Sequence, residues 1–134
     1  MKKLNQIIIA IFCCCMSTLS FSQHVCSAAF LGNKMIVDKY TDKGYKNQLP
    51  ISASGLLTVN TVDLSPTASK AIDKIPFKVA IKDKATQTLT MFASENFLQV
   101  DVKKVLDKCK KGDKIVLMTT EKQYALPHNE ILVQ

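Results

Sequence analysis

The chain has 134 residues, with 18 lysines and no arginine, 11 acidic residues and 2 histidines, giving a formal net charge of +7. That length is one domain with enough chain to bury a real core, which sets aside multidomain and disulfide-only miniprotein architectures. Without arginine there is no planar fork for bidentate base or phosphate recognition, so no nucleic-acid partner is expected.

Taken in chain order, residues 1–22 read as a signal peptide. Lys2 and Lys3 supply a basic start, residues 4–16 are largely apolar, and Ser20-Phe21-Ser22 places small residues three and one positions before Gln23. The apolar run is shorter than the roughly 20 residues of a membrane span, and nothing comparable follows. The expected protein is therefore exported, periplasmic or extracellular, with no membrane span. Cleavage would leave 112 of the 134 residues and remove Cys13, Cys14 and Cys15. Cys26 and Cys109 would remain in a compartment where disulfides persist. Their pairing would close a loop of about 80 residues, worth roughly 4.5 kcal/mol in the chain-entropy model. A Cys26–Cys109 disulfide is the leading expectation. The alternative is a buried Cys109 with a free Cys26 thiol near the new N-terminus.

Residues 23–34 mix small and polar side chains and read as an N-terminal arm, leaving 35–134 as a single domain. Met35-Ile36-Val37 is a short apolar run of strand type, and residues 41–47 have turn chemistry. Leu56-Leu57-Thr58-Val59-Asn60-Thr61-Val62 is rich in β-branched residues and predicts a strand. Ser65-Pro66 is a helix-start signature, so 66–74 reads either as a short helix or as a covered crossing loop. Phe77, Val79 and Ile81 then alternate with Lys78, Ala80 and Lys82, which predicts a half-buried strand. The segment 86–92 returns as its hairpin partner. Val102, Val105, Leu106 and Cys109 recur at helical spacing and predict about two turns of amphipathic helix near 101–111, with Asp101 as N-cap and Gly112 as terminator. Strands follow at 114–120, 124–126 and 130–133. The sum is a mostly-β fold, a small antiparallel immunoglobulin-like sandwich with one short crossing helix.

Catalytic chemistry finds little material. The two histidines, His24 and His128, are far apart in sequence, and no spacing offers the three or four convergent ligands of a zinc site. No nucleophile elbow, phosphate-cradling loop or calcium loop occurs. No catalytic residue, metal or cofactor is assigned. Phe77 and Phe92 fall on strand patterns and read as core. Tyr40, Tyr45 and Tyr124 sit beside turns, and His128 lies in the polar break Pro127-His128-Asn129; these four are the candidate contact residues.

Phe77-Lys78-Val79-Ala80-Ile81, the Phe97 turn, the short helix, Lys111-Gly112-Asp113-Lys114-Ile115-Val116, Leu126-Pro127 and Ile131-Leu132-Val133 form an ordered series. It resembles the C-terminal β-sandwich domain of the periplasmic shaft subunit of the gliding-motility and type IX secretion machinery, over residues 75–134. The chain departs from that subunit in having no membrane helix and no multidomain shaft. The resemblance implies a secreted bacterial protein-interaction module and carries over no catalytic residue. The leading functional expectation is accordingly a non-enzymatic module that meets an envelope protein. A cationic binder of anionic glycan or lipid surfaces at the cell envelope is the first alternative. A small hydrolase, or an inhibitor of one, is the second.

Overall fold

The computed structural model describes residues 25–37, 40–41, 44–45, 47–64 and 69–134. The expected signal peptide and His24 lie outside the described residues. Two sheets face each other across one apolar core. The first is built on β6 (Leu56–Leu64), whose nine residues put Leu57 and Val59 fully inside. Along one edge β6 pairs antiparallel with β1 (Val25–Leu31) over five register positions, from Ser27↔Thr61 to Leu31↔Leu57. The Gly32-Asn33 turn, with Gly32 at φ 61, brings β2 (Lys34–Met35) back onto β1. Two small hairpin strands, β3 (Tyr40–Thr41) and β4 (Gly44–Tyr45), pair with each other, and β5 (Gln48–Leu49) follows. The far half of β6 pairs with β7 (Ser69–Lys74), with a register shift between Asn60 and Val62.

The second sheet runs β5, β13 (Glu130–Val133), β11 (Lys114–Thr119), β8 (Phe77–Lys82), β9 (Leu89–Met91). Its inward residues are large: Phe77, Val79, Ile115, Leu117 and Ile131 are wholly buried. From β9 the chain crosses back through Phe97, which exchanges backbone hydrogen bonds with Phe77, to β10 (Val100–Asp101) at the edge of β6. A short helix, α1 (Val102–Leu106), follows at once and buries Val102, Val105 and Leu106 in the same core. The last strand of the first sheet, β12 (Tyr124–Ala125), lies parallel to the start of β1. β12 on β1 and β5 on β13 are the parallel pairings; the other pairings are antiparallel.

The expected mostly-β sandwich with one short helix is the observed architecture. Three local readings are corrected. The predicted arm at 23–34 contains β1, a strand inside the first sheet rather than a loose end. Its inward positions are Ser27, Ala29 and Leu31, and the first two are too small to print an apolar alternation. Within 66–74 the described part is strand β7, neither helix nor loop; residues 65–68 lie outside the described residues. The helix is shorter than two regular turns. Asp101 caps it as expected, its Oδ1 accepting from the Lys103 N–H at 3.0 Å. Beyond Leu106 the bonding tightens to i→i−3, Lys108 N–H to Val105 O and Cys109 N–H to Leu106 O. Cys109 thus keeps its core-facing position after the regular helix has ended.

A candidate docking edge

The β8–β9 hairpin is the most heavily pinned turn in the second sheet. Asp83 Oδ1 accepts from the Ala85 N–H at 2.8 Å, the Thr86 N–H at 2.8 Å and the Thr86 hydroxyl at 3.1 Å. The Thr86 backbone bond, then its hydroxyl, holds the Asp83 carboxyl below the usual carboxylate range. Gln87 sits in the left-handed region at φ 58 and closes the turn by donating from its Nε2 to Lys84 O at 2.9 Å. A second clamp comes from Asp113, which is 5% exposed. Its Oδ1 accepts from the Lys84 N–H at 3.0 Å and its Oδ2 from the Lys110 N–H at 2.8 Å. One carboxylate therefore ties the hairpin to the chain leaving α1.

This rigid hairpin ends in a sheet edge. Among the described residues β9 pairs with β8 alone. Asp83 N–H bonds Thr88 O, and Phe92 N–H bonds Val79 O. In an antiparallel ladder that phase makes Ile81↔Thr90 the hydrogen-bonded pair and turns the backbone groups of Leu89 and Met91 outward, away from β8. The side chains of Leu89 and Met91 lie on the outer face, 51% and 44% exposed. Beside them a cleft of about 340 Å³ runs between β9 and the end of α1; Met91 shares its rim with Thr90 and Phe92, and Lys108, Lys110, Asp83 and Asp113 are among its other walls. Lys108 Nζ lies 5.0 Å from the Phe92 ring centroid, a cation–π distance. Asp83 and Asp113 keep their charges while accepting from backbone amides, so the cleft carries two carboxylates and two ammonium groups, with Lys108 and Lys110 as its charged donors.

On the outer face of the same sheet Glu130 bridges Lys114 at 3.0 Å and Lys82 at 3.5 Å. The Lys114 hydrogen bond is the main cause that holds the Glu130 carboxyl below its ordinary value. Residues named from sequence fall elsewhere. Tyr40 and Tyr45 are register partners across the β3–β4 hairpin, and their side chains lie outside the described residues. Tyr124 is half buried and packs against the core. His128 lines a small apolar pocket of about 90 Å³ together with Cys26. A thiol beside an imidazole is a nucleophile–base pair in kind. The space beside it is well short of the roughly 300 Å³ and more of small-molecule sites.

The expected disulfide is absent: Cys26 and Cys109 are both free thiols. Cys26 is exposed on β1 beside Ala125 of β12. Cys109 is buried under α1, its Sγ donating to Val105 O at 3.3 Å. Cys109 is held in the core while Cys26 lies exposed at the start of β1. Among the described residues no three His, Cys, Asp or Glu side chains converge as a metal site, and no helix is long and apolar enough to cross a membrane. The β9 edge escaped sequence reading because edge status is a property of sheet order. The exposed Leu89 and Met91 inside a predicted strand were the available signal. Comparison with protein-family models, with curated proteins and with solved structures finds no match to this chain.

Proposed function

We propose that the protein is an exported, non-enzymatic interaction module of the cell envelope, and that β9 receives an extended segment of an envelope protein as an added strand. The observation that carries this reading is the pinned, open edge of β9 with two half-exposed apolar side chains. Edge strands in soluble proteins are usually blunted by lysine, proline or a bulge; β9 offers Leu89, Thr90 and Met91 instead. An incoming strand gains main-chain hydrogen bonds from Leu89 and Met91 and seats alternate side chains on the two faces. One set lies against Leu89 and Met91, the other enters the cleft beside Lys108 and Lys110. The matching segment alternates apolar and acidic residues. The resemblance of residues 75–134 to the shaft-subunit sandwich domain supports an interaction role, since β8, β9, α1, β11 and β13 all lie within that stretch.

The test is affinity capture from envelope extract with the wild-type protein and with the double variant Leu89→Lys, Met91→Lys, followed by amide hydrogen exchange on the recovered complex. The expected result is a stoichiometric partner captured by the wild type alone, with the Leu89 and Met91 amides protected in the complex. Equal capture by both proteins, or protection confined to another strand, overturns the assignment.

A further inference from the structure

A second concave surface lies on the first sheet and has different chemistry. Leu57 and Val59 of β6 face the core, so Leu56, Thr58 and Asn60 face outward by strand alternation. Outward-facing polar residues normally meet water. Here Thr58 and Asn60 are only 6% and 7% exposed, at the floor of a groove of about 490 Å³ whose walls include Lys70, Lys74, Asn33 and Leu56. No acid is among the described residues that line it. The Thr58 hydroxyl donates to Asn60 Oδ1 at 2.7 Å, which orients the amide. Among the described residues the Asn60 Nδ2 makes no hydrogen bond and is not sealed from solvent, so its N–H groups are open to the groove. Lys74 stands opposite Asn60 in the β6–β7 register, and its Nζ is held at 2.8 Å from Gln99 Oε1 with further N–H groups to give. Asp63 stands opposite Lys70, so Lys74 is the anchoring cation and Lys70 the outer one.

We infer that this groove binds an acidic sugar unit of an anionic cell-surface polysaccharide, a uronate. Its carboxylate sits on Lys74 with Lys70 behind, its ring hydroxyls accept from Asn60 Nδ2 and meet Asn33, and the apolar face of the ring lies on Leu56, which is 46% exposed. A diffuse basic surface would need none of the buried amide geometry. This site lies on the opposite sheet from β9, and the inference does not depend on the β9 reading.

Calorimetric titration with a galacturonic acid tetramer tests it, with a neutral galactose tetramer and phosphatidylglycerol vesicles as comparison probes. The expected result is binding of the acidic tetramer at about 20 mM salt that weakens clearly by about 150 mM as the ammonium charges are screened, and no binding of the neutral one. Lys74→Gln should weaken it about tenfold, the size of one lost charged hydrogen bond. Asn60→Ala should weaken it further; if that variant loses its circular-dichroism spectrum, Lys70→Gln replaces it, with a smaller expected loss. Unchanged affinity in Lys74→Gln overturns the site. Tight vesicle binding that Lys74→Gln leaves intact overturns it too, since it assigns the affinity to the net charge of the surface.

Discussion

The two cysteines carry the sharpest single-residue contrast. Burial, with the charge of Asp113 as a lesser cause, pushes the Cys109 thiol up to about 11, so at pH 8 about a thousandth of it is thiolate. Cys26 is exposed. Iodoacetamide at pH 8 should therefore modify the protein prepared without residues 1–22 once in its native state, at Cys26, and a second time only in denaturant. Failure of either cysteine to react in denaturant without reductant would restore the disulfide. Glu130 gives a pH signature. Its folded value is depressed, so its contribution to stability is present above the ordinary carboxylate value of 4.5 and lost as pH falls through the folded value. The pairs are partly exposed, which limits that contribution to about 1 kcal/mol or less. Glu130→Gln should lower the urea midpoint slightly at pH 7 and leave it unchanged near pH 3; an equal loss at both pH values would contradict the ion-pair account.

Among the elements, the β8–β9 hairpin and the turn after α1 act as one unit through Asp113 and Gly112. Gly112 sits at φ 96, and a side-chain carbon there would collide with the Lys84 chain. Gly112→Ala should cost about 1–3 kcal/mol, from backbone strain plus displacement of Lys84. Asp113→Ala orphans two backbone donors that now meet a carboxylate and should cost about 2–3 kcal/mol. It should also raise amide exchange across β9 more than across β6; a uniform rise would mean that the clamp stabilises the fold without fixing the edge. How legible these elements are in the sequence follows from side-chain size. β8 reads clearly because Phe77, Val79 and Ile81 alternate with Lys78 and Lys82. β1 does not, because two of its three inward residues are Ser27 and Ala29. β7 misleads because Ile72 is 58% exposed and a register shift breaks its alternation, while Ser65-Pro66 upstream imitates a helix start. The N-cap at Asp101 is legible since capping is local, whereas sheet order, and with it the open edge of β9 and the convergence of Thr58, Asn60 and Lys74, is set by pairings distant in sequence.

For the whole molecule, the sandwich separates two kinds of surface. The second sheet ends in an apolar edge beside a cleft that carries two lysines and two aspartates; the first carries a polar, lysine-walled groove on its outer side. A core of fully buried Phe, Leu, Ile and Val side chains, each worth about 1.5–3 kcal/mol by burial, holds both in fixed relation without a disulfide. Phe77→Ala should therefore destabilise the entire fold by about 3–5 kcal/mol in a single unfolding transition. Two transitions would contradict the single core. The measurement closest to the central claim is a backbone NMR titration with a soluble seven-residue peptide alternating valine and glutamate, against the same pattern in valine and lysine. The account predicts saturable shifts at Leu89, Thr90, Met91, Lys108 and Lys110 with the acidic peptide and much weaker ones with the basic peptide. Shifts absent from β9, or equal for the two peptides, would contradict it.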